Sequence, residues 1–122
     1  MMQIVLLGLN ATLAILVLVA GGTKLVKNKQ SLADSGMAWV EDFSPITLKL
    51  IAVAELLGAV GLVLPLATGI QPVLAPVAAS GLLIILIGAV ITHLRRRESA
   101  WLPFGLGVLS ASSAALGFVL TA

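Results

Sequence analysis

A carboxyl, two amines, an imidazole and an amide are the groups in this sequence whose types and positions could do chemistry inside an apolar matrix. Glu55 stands near the middle of Ile46–Leu66, a run long enough to cross a bilayer as a helix. It lies about nine residues into that run, roughly 13–14 Å deep at 1.5 Å per residue. An ionisable group at such depth is costly, and it marks either a proton or ligand site or a polar contact that specifies helix packing. Lys49 shares the helix with Glu55. A separation of six residues sets the amine about 9 Å away along the axis and about 120° around it, so the two cannot meet within one helix. A partner must come from elsewhere in the chain, with Lys24, His93, Asn10 and the serines of the last apolar run available. Failing that, the carboxyl is neutral, because a bare charge is the costlier form in hydrocarbon.

Two readings of Glu55 follow. In the first it is a hydrogen-bonded packing element, since Leu48, Ala52, Gly58, Ala59 and Leu62 on its face include small residues suited to close helix contact. In the second it is the polar centre of a proton, quinone or cationic-ligand site, or it contacts a partner subunit. Lys24 and Lys49 read as anchors whose amines snorkel to the interface, His93 as an interface histidine, and Asn10 as interhelical glue. The absence of cysteine excludes disulfides, thiolate metal sites, thiol nucleophiles and cysteine-linked haem. With one histidine the chain offers no imidazole-rich metal site, and no residue pattern in it amounts to a catalytic motif.

The elements that must position these groups are membrane helices. Hydrophobic residues make up 60% of the 122 residues and charged residues 10%, with a mean hydropathy of +1.18, which places the chain outside the range of soluble domains. Four apolar runs, about 3–22, 46–66, 73–92 and 101–120, predict an all-α, four-helix transmembrane bundle forming a single domain over 1–122. The first run has no basic leader before it and reads as a retained helix. Between the first two runs lies the only long connection. Ser31 reads there as an N-cap, and Leu32, Trp39, Val40 and Phe43 as one stripe on a short surface helix.

Orientation follows from the basic residues. Lys24, Lys27 and Lys29 follow the first run and Arg95, Arg96 and Arg97 the third, whereas the middle hairpin and both termini carry none. The positive-inside rule then predicts a cell (inner) membrane protein with both termini outside, and Trp39 and Trp101 as interfacial anchors. Basic residues so placed report topology and not nucleic-acid binding. The expected partners are membrane lipid and either a second copy or a partner membrane or redox protein.

Three segments carry a family likeness: AGGTKL (Ala20–Leu25), LKLIAVAELLGAVGLVLP (Leu48–Pro65) and GLLIILIGAVITHLRRRE (Gly81–Glu98). The ordered set Gly21–Lys24, then Lys49, Glu55 and Gly58, then Gly88, Ala89, Thr92 and His93, resembles the DoxX-like family of small four-helix membrane proteins. Named relatives include the membrane subunit of an archaeal thiosulfate:quinone oxidoreductase and a mycobacterial partner in a thiol and superoxide defence complex. The resemblance therefore implies a non-enzymatic accessory subunit or helper of a membrane complex, without a cofactor of its own. The alternative it leaves open is binding or transport of a quinone or lipophilic small molecule at Glu55. It supplies no catalytic residues to carry over.

Overall fold

In a computed structural model that describes residues 1–121, the chain runs through α1 (Met2–Val26), α2 (Lys29–Asp34), a 3₁₀ turn (Ala38–Asp42), α3 (Pro45–Thr68), α4 (Leu74–Arg95) and α5 (Trp101–Thr121). The four long helices have 25, 24, 22 and 21 residues, each enough to cross a hydrocarbon core about 30 Å thick. They alternate in direction. α1 packs most extensively on α3, α4 bridges α3 and α5, and a lighter α1–α5 contact closes the ring. All the lysines and arginines consequently lie toward one end, where α1 and α4 finish and α3 and α5 begin. Ala122, the position at which a labelling test of C-terminal orientation would be made, lies outside the described residues.

Helix boundaries follow local chemistry. Ser44 caps α3 by accepting the Thr47 N–H at 3.1 Å, and Pro45 occupies the start, where a missing amide hydrogen costs nothing. Pro65 lies inside this helix. α3 continues to Thr68 and stops at Gly69, whose φ of 73° is a left-handed value that glycine adopts without strain and whose N–H returns to the Pro65 carbonyl at 2.9 Å. α1 likewise runs past Gly22 to Val26.

The long connection departs most from expectation. Asn28, not Ser31, caps α2, its side-chain oxygen accepting the Ser31 N–H at 2.8 Å. The single stripe-bearing helix is broken at Gly36, whose φ is 98°. Breaking it lets the segment fold back over the bundle end, burying Leu32 and Val40 against Leu48 of α3, with Trp39 and Phe43 packed beside them.

Inside the bundle, small residues set the interhelical distance. A Cβ added at Gly61 would come 2.8 Å from the Ala78 Cβ of α4, and one at Gly117 would come 2.9 Å from the Pro76 ring. Leu13, Val17, Leu62 and Leu82 fill the apolar centre, while aliphatic residues such as Ile4, Val19, Ile84 and Val119 face outward. That outward surface suits lipid, since hydrocarbon exerts no pressure to bury it and the helices are held by packing and by polar contacts between them.

Gly61→Val is accordingly expected to destabilise the bundle by about 1–3 kcal/mol through overpacking. The readout is a lowered melting temperature in mild detergent, followed by tryptophan fluorescence. Gly8→Val, where an added Cβ has nothing within 4 Å, is expected to melt as the wild type does.

Candidate functional site

Lys24 and Glu55 meet across the α1–α3 seam. The Lys24 ammonium lies 2.6 Å from Glu55 Oε1, and the two residues are only 9% and 6% exposed. Their meeting depends on how helical side chains lean. A Cα–Cβ bond tilts toward the helix N-terminus, so Lys24, near the end of α1, sends its amine back into the bundle. Gly21 is one turn earlier on the same face. An added Cβ there would lie 3.2 Å from both the Ala52 carbonyl and Glu55 Cβ, so the glycine lets α3 come close enough for the lysine to reach across. The Gly21–Lys24 spacing is thus one device, a gap followed by the arm that crosses it.

The expectation that Lys24 snorkels outward is corrected by this geometry, and Lys49 also serves a different end. Its ammonium donates to the carbonyls of Lys24, Leu25 and Lys27, at 3.0 Å to the first and 2.9 Å to the last. These are orphan acceptors at the C-terminus of α1, where the helix dipole favours a cation. One lysine therefore caps the helix from which the other reaches inward.

Over the pair lies an aromatic cover drawn from the folded-back connection. The Lys24 ammonium is 5.5 Å from the centroid of the Trp39 ring, within cation–π range. The same ring is 6.1 Å from the His93 imidazole and 5.7 Å from Phe43, the latter edge-on. Trp39, expected as an interfacial anchor, is turned inward to do this, whereas Trp101 is 74% exposed at the start of α5. His93 Nδ1 is 3.2 Å from Glu98 Oε1, although the approach is too poorly directed to be a hydrogen bond. Arg96 ties the cover down, with Nη1 2.8 Å from Asp42 Oδ1 at the end of the 3₁₀ turn and Nε 3.1 Å from Glu98 Oε2. The hydrogen bond to Glu98, with Asp42 adding to it, pushes the guanidinium pKa above its ordinary value. Arg96 is thereby a tether as well as a topology signal, while Arg95 and Arg97 stay exposed.

Asn10 belongs to a separate polar layer. Its amide donates to the Leu62 carbonyl at 2.8 Å and its oxygen accepts the Ser113 hydroxyl, so one fully buried side chain joins α1, α3 and α5. Pro65 removes the N–H that would serve the Gly61 carbonyl and disturbs the ladder at this point of α3. The Asn10 amide bonds the next carbonyl, that of Leu62, beside this break and not at it. On α1, Asn10 and Gly21 are eleven positions apart, roughly 16 Å at 1.5 Å per residue, and the buried Leu13, Ala14 and Val17 fill the interval. Of the five candidate residues, the structure joins Lys24 to Glu55, places Lys49 and His93 around them at the same end, and leaves Asn10 apart.

Sequence reasoning missed the Leu62 carbonyl, the Asp42–Arg96–Glu98 tether and the Trp39 cover. The first had no signal in the sequence, since Pro65 frees the Gly61 carbonyl and not that of Leu62. The other two depend on the fold of the connection, which no residue spacing reveals.

The geometry can hold one carboxylate charge-compensated inside a membrane bundle and shield it from one end. Comparison with known proteins agrees with such a bundle: a model of the DoxX-like family matches residues 8–119. No curated protein and no solved structure matches the chain.

Removing one partner of a buried ion pair leaves the other charge uncompensated, at a cost of about 3–5 kcal/mol. Lys24→Met and Glu55→Gln are each expected to lower unfolding stability in detergent by that order, while the double variant Lys24→Met/Glu55→Gln loses much less than their sum. Strictly additive losses in this cycle would show that the two groups do not interact.

Proposed function

Given that the chain belongs to the DoxX-like family, we propose that it is a non-enzymatic membrane subunit or helper whose buried ion pair fixes the helix register on which a membrane-associated, redox-linked complex assembles. The observation that supports this is the state of Glu55: its Oε1 is bonded to Lys24 at 2.6 Å, the pair is charge-neutral, and Trp39 covers it. An acid committed in this way aligns α1 on α3, as buried polar groups fix register in other helical assemblies. The lipid-facing aliphatic surface is then available to a partner helix or a second copy. By the positive-inside rule, the end bearing all the basic residues faces the cytoplasm of a cell whose inner membrane holds the protein.

A second reading takes Glu55 and Lys24 as the polar ends of a site for a quinone or other lipophilic molecule. What favours it is a cavity at the cytoplasmic end that has Lys24 in its wall. The two readings separate on one variant. Lys24→Gln/Glu55→Gln keeps two hydrogen-bonding side chains without charge or titration in this range. On the subunit reading a hydrogen bond between the two glutamines still holds α1 in register on α3, so the variant is expected to fold and to crosslink to its partner in native membranes as the wild type does, from pH 5.5 to 8. A variant that folds normally but loses a co-purifying quinone-like molecule, or the pH response of the host complex, would replace the subunit reading with the second.

A further inference from the structure

Where α1 ends and α3 begins, the molecule contains a cavity of about 310 Å³. Four of the seven basic side chains, Lys24, Lys27, Lys29 and Lys49, line it together with apolar walls from Leu32 and Leu48, and no Asp or Glu takes part. Only Lys24 is neutralised, by Glu55. The others meet uncharged acceptors: Lys49 the three carbonyls of α1, Lys27 the Ser35 hydroxyl at 3.2 Å, and Lys29 the Glu41 backbone carbonyl at 3.5 Å. Such acceptors orient an ammonium without cancelling its charge. The nearby acids are engaged elsewhere, Asp34 with the Gln30 amide at 2.9 Å and Asp42 with Arg96, while Glu41 offers Lys29 only its backbone. Three lysines without an Asp or Glu partner therefore border one cavity, which they line mainly with their aliphatic stems.

We propose that this cavity seats an anionic phospholipid, its apolar portion against the leucines and lysine stems and its phosphate at the lysine ammoniums around the rim. Its position selects a lipid over a soluble anion. The cavity opens at the level where two spans end, and Leu25, Val26, Ile46 and Leu50 on those span ends are exposed. A phosphodiester held by Lys27 and Lys29, with the carbonyl-bound Lys49 adding only its charge, can lay its acyl chains along those residues, a contact that free phosphate cannot make. Basic pockets between membrane helices on the cytoplasmic side recognise anionic headgroups on the same principle. The cluster also borders the Lys24–Glu55 pair, so a bound phosphate would sit beside the cover of that pair.

The test uses the full chain in nanodiscs of phosphatidylcholine containing a small share of phosphatidylglycerol, with retained lipid counted by native mass spectrometry. Phosphatidylglycerol is expected to be retained in preference to phosphatidylcholine. Lys27→Gln/Lys29→Gln is expected to lower that retention about tenfold or more, two basic side chains near the lipid surface being removed. Arg95→Gln/Arg97→Gln makes the same change in net charge in the other loop and is expected to leave retention unchanged. Melting temperatures of both variants matching the wild type confirm that the losses are local. An equal loss in the two variants, the absence of any preference, or displacement of the lipid by millimolar glycerol phosphate would overturn the proposal, the last by showing a site for soluble anions.

Discussion

A charged carboxyl can persist inside a membrane bundle only if a neighbouring helix supplies its counter-charge, and much of this structure is arranged to meet that condition at Glu55. The counter-charge comes from near the end of α1, not from its middle, because a lysine close to a helix C-terminus leans back toward the membrane interior. Its reach is short, so the two helices must also be close, and Gly21 removes the side chain that would hold them apart. Lys49 completes the seam from the opposite direction by satisfying the carbonyls that α1 leaves open. Three residue types, each unremarkable alone, form a single joint.

The cover over this joint is as important as the joint itself. An ion pair that faced water at one end would be weakened by solvent screening. The connection between α1 and α3 prevents this by breaking at Gly36 and folding back, which brings Trp39 over the ammonium and buries Leu32 and Val40 on α3. Arg96 links that cover to the α4–α5 turn. The loop ends at this side of the bundle thus close over a polar site, while at the other side the short α3–α4 turn has nothing comparable to cover. There, Asn10 ties the Leu62 carbonyl to Ser113 across three helices, and the apolar layer between the two sites keeps them independent.

This division suits a four-helix membrane protein of the DoxX-like family. The helices expose aliphatic surface to lipid or partner, and their polar side chains are spent on mutual alignment. Positive charge is gathered at one end, where it orients the chain and borders the cavity beneath α2.

Composition and the spacing of apolar runs determined by themselves that the chain is a four-helix membrane protein, because a bilayer admits few other solutions for backbone hydrogen bonding. The family was legible too, in Gly21–Lys24, in Lys49, Glu55 and Gly58, and in the His93 segment. From helix geometry alone it followed that Lys49 could not serve Glu55. Which of the remaining candidates does serve it was decided only by tertiary structure, since that depends on how far α1 slides along α3 and on the closeness Gly21 allows. Lys24, Asn10 and His93 are equally polar in the sequence, and only packing sends the first to the carboxyl, the second to the Leu62 carbonyl and the third beneath Trp39. The connection was the least legible part, because its fold is set by burial against Leu48 of the next helix, a contact that the spacing of its own apolar residues does not reveal. Glu55, a lone acid in an apolar run when read along the sequence, becomes through that packing one half of a covered, neutral pair.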